Sequence, residues 1–314
     1  MERFASRVSH VLTDCPASTT VQTSLPHAMK LCRFITPNHQ TRIGTLSDDG
    51  LVHDLNGTGV ESISQILNAT SPVDELRKAL TRTHTTFKIS DIKFASPVDR
   101  QEVWAAGVTY LRSKKARMEE SDFSASAYDR VYDAPRPEIF FKSHPEKSIA
   151  TGEPVGIRSD AKWNVPEPEL ALVMNKSGAI VGYTIGNDMS SRDIEGENLL
   201  YLPQAKTYHR SCGLGPWIVL GSTEAEARAW TISIKINRNG NTVFGGETGV
   251  DQIKRTFPEL AGYLFRCQRF EHGAVLLTGT GIVPADDFTL AAGDSVAITI
   301  SGIGTLENPV EVVD

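Results

Sequence analysis

The order of apolar and polar residues along the chain predicts many short strands and few helices. Alternating or wholly apolar runs, each ended by turn residues, recur through most of its length. After residue 95 the predicted strands are residues 103–108, 139–142, 169–174, 180–185, 217–220, 231–236, 274–278 and 295–300. In that part only residues 256–267 combine sufficient length with helical spacing of apolar residues. We therefore expect a mainly β protein with some α structure, an α+β sandwich or roll without parallel βαβ order.

The first part of the chain predicts a smaller unit with both strands and a helix. Turn residues at 37–38 and 48–50 separate short alternating runs, which is typical of a β meander. A helix is predicted to follow Ser71, which is a good N-cap residue, with Pro72 at the first helical position. The unit is thus a small α+β arrangement.

These patterns divide the chain into three parts. Residues 1–28 have neither the apolar core of a secretory signal nor clear periodicity, so we expect a flexible tail. Residues 29–94 are expected to form the small N-terminal domain and residues 95–314 the larger β domain. Because Met29 directly precedes the first predicted strand, translation from Met29 is an alternative to translation from Met1.

Composition narrows the class of protein. The 314 residues carry 32 Lys and Arg against 38 Asp and Glu, a net charge of −6, and no basic block, so nucleic acid is not an expected partner. The longest apolar runs are much shorter than the roughly 20 residues that cross a bilayer, so no membrane association is expected. The four cysteines are scattered without a C-x-x-C pair, which fits a reducing, cytoplasmic location.

Two glutamates stand at the start of one apolar strand, in the stretch KWNVPEPELALVM. Glu167 and Glu169 are two residues apart, so their side chains face the same side of the strand. Pro166 and Pro168 lack backbone donors, which indicates a strand edge, a bulge or the rim of a cavity. The carboxylates are therefore expected at a rim.

The following turn brings a third carboxylate close to this pair. The loop NKSGA can join the strand to the next one as an antiparallel hairpin. If Met174 opposes Ile180, then Glu167 lies opposite Asn187 and beside Asp188. We expect Glu167, Glu169 and Asp188 to converge.

Three converging carboxylates repel one another unless a cation neutralises them. Oxygen ligands without a nearby His or Cys suit Mg²⁺, or Mn²⁺ or Ca²⁺, better than Zn²⁺, and leave positions for a chelating substrate. The alternative is a solvated acidic rim, with Asp188 as a turn residue. Both interpretations remain open at the level of these residues.

The same residues belong to a series of motifs that resembles the fumarylacetoacetate hydrolase family. The motifs occur in order from residue 167 to the C-terminus: E-P-E-L-A-L-V, G-Y-T-I-G-N-D-M-S-S-R-D, Q-A-K, L-G-P-W, T-G-T-G, G-D-S-V and G-I-G-T-L-E-N-P. The resemblance implies a mixed β-sandwich roll and a Mg²⁺ or Mn²⁺ site with Glu167, Glu169 and Asp188 as ligands. It also implies that Lys206 lies beside the metal and that Thr280 lies near the substrate carboxylate. A homo-oligomer is a further expectation from this likeness.

The chain departs from the hydrolases of this family at one segment. Those that cleave acylpyruvates have a histidine and a glutamate that activate water after the first catalytic strand, whereas this chain has Ser113 and Ala116 at the corresponding positions. This segment and residues 128–142 and 192–206 resemble the branch that dehydrates 2-keto-3-deoxy sugar acids. We therefore expect a metal-dependent dehydratase of such an acid. The first candidate substrate is 2-dehydro-3-deoxy-D-arabinonate, and the product is 2,5-dioxopentanoate. The alternatives are a carbon–carbon hydrolase of a 2,4-diketo acid and a silent protein that binds a metal and a 2-oxoacid.

Dehydration of a 2-keto acid needs a base for the C3 proton and an acid for the leaving hydroxyl. Lys206 is the first candidate for the base or for the cation beside the enolate, and Glu138, in an apolar setting, is the second. Glu120 is a further catalytic candidate, while Arg112 and Lys142 are candidates for binding the sugar acid. Each has a plain structural alternative, an ion pair for Lys206 and Glu138 and a solvated surface for the segment with Arg112 and Glu120.

Overall fold

A computed structural model describes residues 28–110 and 130–314 of the chain. The strands of these residues are β1 Met29–Ile35, β2 Thr41–Leu46, β3 Leu51–Asp54, β4 Thr86–Lys88, β5 Lys93–Ala95, β6 Glu102–Gly107, β7 Glu138–Ser143, β8 Val155–Arg158, β9 Asn164–Val165, β10 Pro168–Met174, β11 Ile180–Asp188, β12 Ser190–Ser191, β13 Cys212–Leu220, β14 Thr231–Arg238, β15 Asn241–Gly249, β16 Ala274–Leu277, β17 Ser295–Ile300 and β18 Gly304–Val313. The α-helices are α1 Ile63–Leu67, α2 Pro72–Leu80, α3 Arg192–Glu197, α4 Leu202–Lys206, α5 Glu224–Arg228 and α6 Phe257–Leu264. The expectation of a mainly β protein with some α structure is confirmed.

Most strands belong to one large sheet. Its order is β4-β3-β2-β1-β13-β11-β10-β16-β6-β7, with β5 paired to β1. A second sheet has the order β15-β14-β17-β18-β8, and β9 and β12 form a two-stranded ribbon. The large sheet therefore joins the N-terminal strands to strands of the later part of the chain, and β10 lies in its interior.

Strand β10 is apolar on both faces because each face packs into a core. Leu170, Leu172 and Met174 contribute to a cluster that continues to the second sheet. Ala171 and Val173 point the other way, into a cluster shared with α1 and α2. A strand enclosed on both faces holds its carboxyl-bearing first residues in a fixed position.

The hairpin of β10 and β11 contains a bulge that changes its register. Met174 pairs with Ile180 as expected, but Val173 pairs with Gly182, so Val181 is an extra residue. All later pairs shift by one, and the Asp188 amide donates to the Glu167 carbonyl at 3.0 Å. The expected pairing of Glu167 with Asn187 is therefore wrong, because the pattern of alternation gives no sign of a bulge.

Elements with strong patterns agree best with their expectations. The strand expected at residues 295–300 has those bounds, and Ser71 caps α2 as expected, accepting from the Asp74 amide at 3.3 Å. The short helices α3, α4 and α5, and the strands β8 and β15, were not expected, because each is too short or too polar to give a periodic signal. Parallel pairing does occur, between β16 and β6 and between β18 and β8, but without βαβ succession along the chain.

Two further expectations concern the division of the chain, and a third concerns membranes. The proposed tail falls largely outside the described residues, and the boundary between domains at residue 95 stays a prediction. In the described residues, no helix has the length and apolar character needed to span a membrane.

Candidate functional site

The three carboxylates expected to converge lie together at one end of β10 and β11. Glu167 precedes β10, Glu169 is its second residue and Asp188 ends β11. One oxygen of each lies within 4.8 Å of the other two, and all three side chains are buried. The bulge explains this arrangement: directly opposed residues of an antiparallel pair share a face, so the shifted register puts Asp188 on the face of the two glutamates.

Three buried, positively charged side chains lie against this group of carboxylates. Lys206 Nζ lies 2.6 Å from Glu167 Oε2 and 3.2 Å from Asp188 Oδ2. Lys142 Nζ lies 2.6 Å from Asp188 Oδ1, and Arg192 Nη2 lies 2.7 Å from Glu167 Oε1. A buried charge without a partner is costly. Each charged side chain of the cluster therefore depends on the opposite charges beside it.

Lys206 has further contacts that fix its ammonium group. It is the last residue of α4, and its Nζ donates to Ser190 Oγ at 2.5 Å. The same nitrogen lies 5.8 Å from the centre of the Phe140 ring. Lys206 forms ion pairs with Glu167 and Asp188. These contacts fit the alternative of a plain ion pair and are also compatible with a chemical role.

Glu169 differs from the other two carboxylates in its partners. Its Oε2 accepts a hydrogen bond of 2.6 Å from the Gly279 amide, in the T-G-T-G turn. Burial raises the pKa of Glu169 well above its usual value, and the negative charges of Asp188 and Glu167 raise it further. The Lys206 charge and the Gly279 hydrogen bond act in the opposite direction and are weaker. Without a metal, Glu169 therefore releases its proton at a higher pH than an exposed glutamate does.

A small cavity opens beside the carboxylates. Its walls include the expected residues Glu138 and Thr280, together with Phe140 and the unexpected Glu195. Glu138 and Phe140 lie on the same face of β7, whereas Phe141 points to the other face, where its ring packs on Trp104 at 5.6 Å. The side chains of β7 thus alternate between its two faces.

Lys142 does not occupy the position expected of a substrate-binding residue. It is 0% exposed, and its Nζ donates to the carbonyls of Met189 and Lys206 in addition to its ion pair with Asp188. Among the described residues that line the cavity, Lys142 does not occur. Lys142 thus supports Asp188 and the end of α4, and its assignment to the substrate stays a prediction.

Several predicted residues lie outside the described part of the chain. Arg112 and Glu120, and the diagnostic Ser113 and Ala116, fall between residues 110 and 130. Their assignments stay predictions.

Sequence reasoning did not single out Glu195. It is 3% exposed and lies on α3, three residues after Arg192, so both side chains share one face of the helix. The available signal in the sequence is its spacing of three residues from Arg192, a side chain that can pair with a carboxylate.

The donor set fits a hard divalent cation. Glu167, Glu169 and Asp188 offer only oxygen atoms, close enough to bind one ion, and no His or Cys belongs to this cluster among the residues described. Burial and, after it, the negative neighbours raise the pKa of Glu169, and a bound cation would lower it. The cluster could therefore hold a metal.

Comparison with known proteins gives consistent matches. A family model described as fumarylacetoacetate (FAA) hydrolase C-terminal matches residues 102–311. A probable 2-keto-3-deoxyxylonate dehydratase of Haloferax volcanii is 43% identical over 269 residues, 86% of this chain and 89% of the relative. The 2-dehydro-3-deoxy-D-arabinonate dehydratase of Saccharolobus solfataricus is 43% identical over 229 residues, 72% of this chain and 77% of the relative.

A solved structure also matches over most of the chain. It is that of 2-keto-3-deoxy-D-arabinonate dehydratase complexed with magnesium and 2,5-dioxopentanoate, with 35% identity and a TM-score of 0.76 over 91% of this chain and 99% of that one. The motifs, the fold and the extent of these matches lead to one conclusion: the chain belongs to the fumarylacetoacetate hydrolase family.

Proposed function

We propose that this protein is a Mg²⁺-dependent dehydratase that converts 2-dehydro-3-deoxy-D-arabinonate to 2,5-dioxopentanoate. The observation that carries the proposal is the buried triad of Glu167, Glu169 and Asp188 with Lys206 at its edge. Two relatives with 43% identity are named as dehydratases of such acids, and the solved structure of one such enzyme holds magnesium and the proposed product.

The two names of these relatives are chemically compatible. D-Xylonate and D-arabinonate differ only at C2 and C3. In the 2-keto-3-deoxy acids C2 is a carbonyl and C3 a methylene, so C4 is the only stereocentre left. In the D series both names therefore denote one compound, and the proposed substrate is this single 2-keto-3-deoxy pentonate.

Glu167, Glu169 and Asp188 are the residues that would hold the ion. A bound Mg²⁺ supplies a Lewis acid that chelates a 2-keto acid and stabilises the charge of its enolate. Because the ligands are all oxygens, Mn²⁺ and Ca²⁺ are competitors for the same site. Mg²⁺ is our choice because it is the ion in the related structure.

We assign different tasks to Lys206 and Glu138. The Nζ of Lys206 contacts two carboxylates and a hydroxyl at the edge of the triad, and we assign to it the positive charge beside the enolate. Glu138 lies across the cavity on β7 and takes the proton from C3. Thr280, in the cavity wall near the Gly279 turn, is assigned to the substrate carboxylate.

The reaction balances without any other reactant. The C3–H bond breaks, a C3–C4 double bond forms, and the C4–O bond breaks as the hydroxyl leaves with a proton as water. Tautomerisation then moves hydrogen from C5 and its hydroxyl to the carbon chain, which turns C5 into an aldehyde. The product is 2,5-dioxopentanoate.

The direct test is to incubate pure protein and Mg²⁺ with both C4 epimers of 2-keto-3-deoxypentonate. Formation of 2,5-dioxopentanoate is followed through a coupled aldehyde dehydrogenase. We expect turnover of the D epimer that EDTA abolishes. The absence of product from both epimers would contradict the proposal, and cleavage of an acylpyruvate under the same conditions would favour the hydrolase alternative. We further expect the enzyme to work in the cytoplasm as a homo-oligomer.

A further inference from the structure

The proposed base, Glu138, lies at the open end of a strand pair. Gly107 and Glu138 are the last partners of β6 and β7, and β7 begins at Glu138. The end of a strand pair opens more easily than its middle, because its last hydrogen bonds have neighbours on one side only. A carboxyl group that takes a proton from a substrate must keep a fixed position, so the contacts beyond this pair matter for its chemistry.

Both chain segments beyond this pair contact Lys254, which lies between the single helical turn Val250–Gln252 and α6. On the side of β6, the Lys254 amide donates to the Thr109 carbonyl at 3.1 Å. On the side of β7, its Nζ lies 2.5 Å from Asp133 Oδ1 and donates to the Tyr132 carbonyl at 2.9 Å. The same Nζ lies 4.1 Å from the centre of the Tyr132 ring. One residue therefore joins the two segments.

Arg255 makes most of the contacts with the chain that leads into β7. Its Nη2 donates to the carbonyls of Val131 at 3.2 Å and Ala134 at 2.6 Å, and its Nη1 donates to that of Pro135 at 3.5 Å. These carbonyls lie in and after the helical turn of residues 130–133, where the end of a helix leaves carbonyls without partners. Arg255 is only 7% exposed, so its guanidinium group is a buried charge directed at this segment.

The backbone that carries these two basic residues is itself attached to neighbouring helices. Arg228, on α5, donates to the carbonyl of Ile253 at 3.1 Å and to that of Arg255 at 2.8 Å, so it binds the chain on both sides of Lys254. Glu259, on α6, balances the charge of Arg255, with its Oε1 2.6 Å from Nη1. The two side chains therefore extend from a fixed backbone.

We propose that Arg255 is a positioning residue for Glu138. By binding three carbonyls between residues 131 and 135, it fixes the chain that enters β7 and thereby the carboxyl group that takes the C3 proton. Lys254 supports the same segment and ties it to β6. Neither residue is among the described residues that line the cavity, so both act on the reaction from outside it. The inference rests on the proposed function and deepens it.

The test is a double-variant cycle on Arg255 and Glu138. It follows deuterium exchange at C3 of 2-oxopentanoate, which has the same chain length as the pentonate without its hydroxyls and reports only removal of the C3 proton. Exchange is measured for the wild type, Arg255→Met, Glu138→Gln and the variant with both changes. Calorimetry measures Mg²⁺ binding by Arg255→Met. Arg269→Met, which changes an exposed arginine, is the matched control.

We expect Arg255→Met to lower exchange about tenfold, because the carboxyl group of Glu138 is no longer held within reach of C3. In the Glu138→Gln background the same change should alter exchange by less than about twofold, since no base is left to misplace. Mg²⁺ binding by Arg255→Met should not change, because the triad lies at the ends of β10 and β11. Arg269→Met should leave exchange and Mg²⁺ binding unchanged.

Exchange that Arg255→Met leaves unaltered, or lowers equally with and without the Glu138 carboxyl group, would overturn the proposal. If Arg255→Met does not fold, Lys254→Met takes its place, because the Lys254 side chain is 40% exposed and its loss opens no core. We expect Lys254→Met to lower exchange about threefold, and only where Glu138 is present. Equal effects in both backgrounds, or no effect in either, would contradict the proposal.

The proposed function and this inference fail in different ways. A wild type that exchanges C3 without dehydrating either epimer would refute the proposed function alone, since exchange does not depend on loss of the hydroxyl. A wild type without C3 exchange would refute the role of Glu138 as the base, and the positioning role of Arg255 with it.

Discussion

At the scale of single residues, Glu169 links metal binding to pH. Its pKa is raised by burial and by its negative neighbours, so at pH values between the unfolded and the folded pKa the metal-free protein binds a proton that the unfolded chain releases. The stability that this proton contributes is present below the unfolded pKa and is lost as pH rises through the folded pKa. Mg²⁺ competes with the same proton, so its binding should strengthen as pH rises.

We expect Glu169→Gln to separate these effects. The amide oxygen can still accept from Gly279, and an amide has no ionisable proton, so the variant avoids the stability that the raised pKa of Glu169 costs as pH rises. Without metal it should therefore melt at a higher temperature than the wild type near neutral pH. It should also lose the stabilisation by Mg²⁺. Thermal melts with EDTA or Mg²⁺ across a pH series measure both, and a wild-type Mg²⁺ shift that does not vary with pH would contradict this account.

Lys206 is expected to act on the chemistry more than on metal binding. Lys206→Met removes the positive charge beside the enolate, so dehydration and C3 deuterium exchange of 2-oxopentanoate should both fall by about 10²-fold or more. Mg²⁺ binding by calorimetry should persist, since the three carboxylates remain. Lys162→Met, at an exposed site, is the matched control, and a Lys206→Met enzyme with normal exchange would refute the assignment.

The residues found from sequence are those whose neighbours are local or part of a motif. Glu167, Glu169 and Asp188 are joined by one hairpin, and Lys206 belongs to a recognisable segment. Glu195 could not be placed in this way, because its position in the cavity depends on how α3 attaches to a distant strand. The burial of Lys142 against Asp188 leaves no mark on the sequence, so this ion pair could be found only from the structure.

At the scale of elements, the pairing of β6 with β7 creates room for Glu138. Gly107 lies opposite Glu138, and a Cβ built on Gly107 would come within 1.9 Å of Glu138 Oε2. The absence of a side chain at this position therefore lets the carboxyl group lie against the backbone of β6. The two strands together set the distance between Glu138 and the carboxylates.

Gly107→Ala should displace the Glu138 carboxyl group while leaving the fold intact, because the clash is with the far end of a flexible side chain. We expect dehydration to fall at least tenfold, with a melting temperature close to that of the wild type. Gly245→Ala, on the exposed strand β15, has ordinary contacts only and should change neither value. Unaltered dehydration by Gly107→Ala would show that Glu138 needs no such space.

Element prediction from sequence succeeded where one period was sustained. Ser71 and Pro72 predict the start of α2, and strict alternation of apolar and polar residues predicts β17. The ribbon of β9 and β12, which anchors α3, has two residues in each strand and pairs Val165 with Ser190. A period cannot be read from two residues, so this support of the site could be found only from the structure.

At the scale of the molecule, the N-terminal strands and the site share one sheet. Strand β1 pairs with β13, which in turn pairs with β11, so the hydrogen bonds run without interruption from the N-terminal unit to Asp188. Leu31 lies at this junction, opposite Ile218, and both are fully buried. We therefore expect the described parts of the chain to unfold together.

Leu31→Ala tests this continuity. The cavity it leaves should reduce the free energy of unfolding by about 3 kcal/mol, and calorimetry should still show a single transition that Mg²⁺ shifts upward. Thr41→Ala, at an exposed position of β2, should change stability by less than about 0.5 kcal/mol. Two separate transitions, with Mg²⁺ moving only one of them, would show that the N-terminal unit is energetically independent.

The extra residue in β11 has a consequence for how such sites arise and disappear. If Val181 paired with Val173 in a regular hairpin, every acidic residue of the triad would remain, yet Glu167 would pair with Asn187 and Asp188 would turn to the opposite face. A relative of the same length without this bulge could keep all three acids in an alignment and still lack the metal site. In this hairpin, the pairing register is as much a determinant of chemistry as the identity of the side chains.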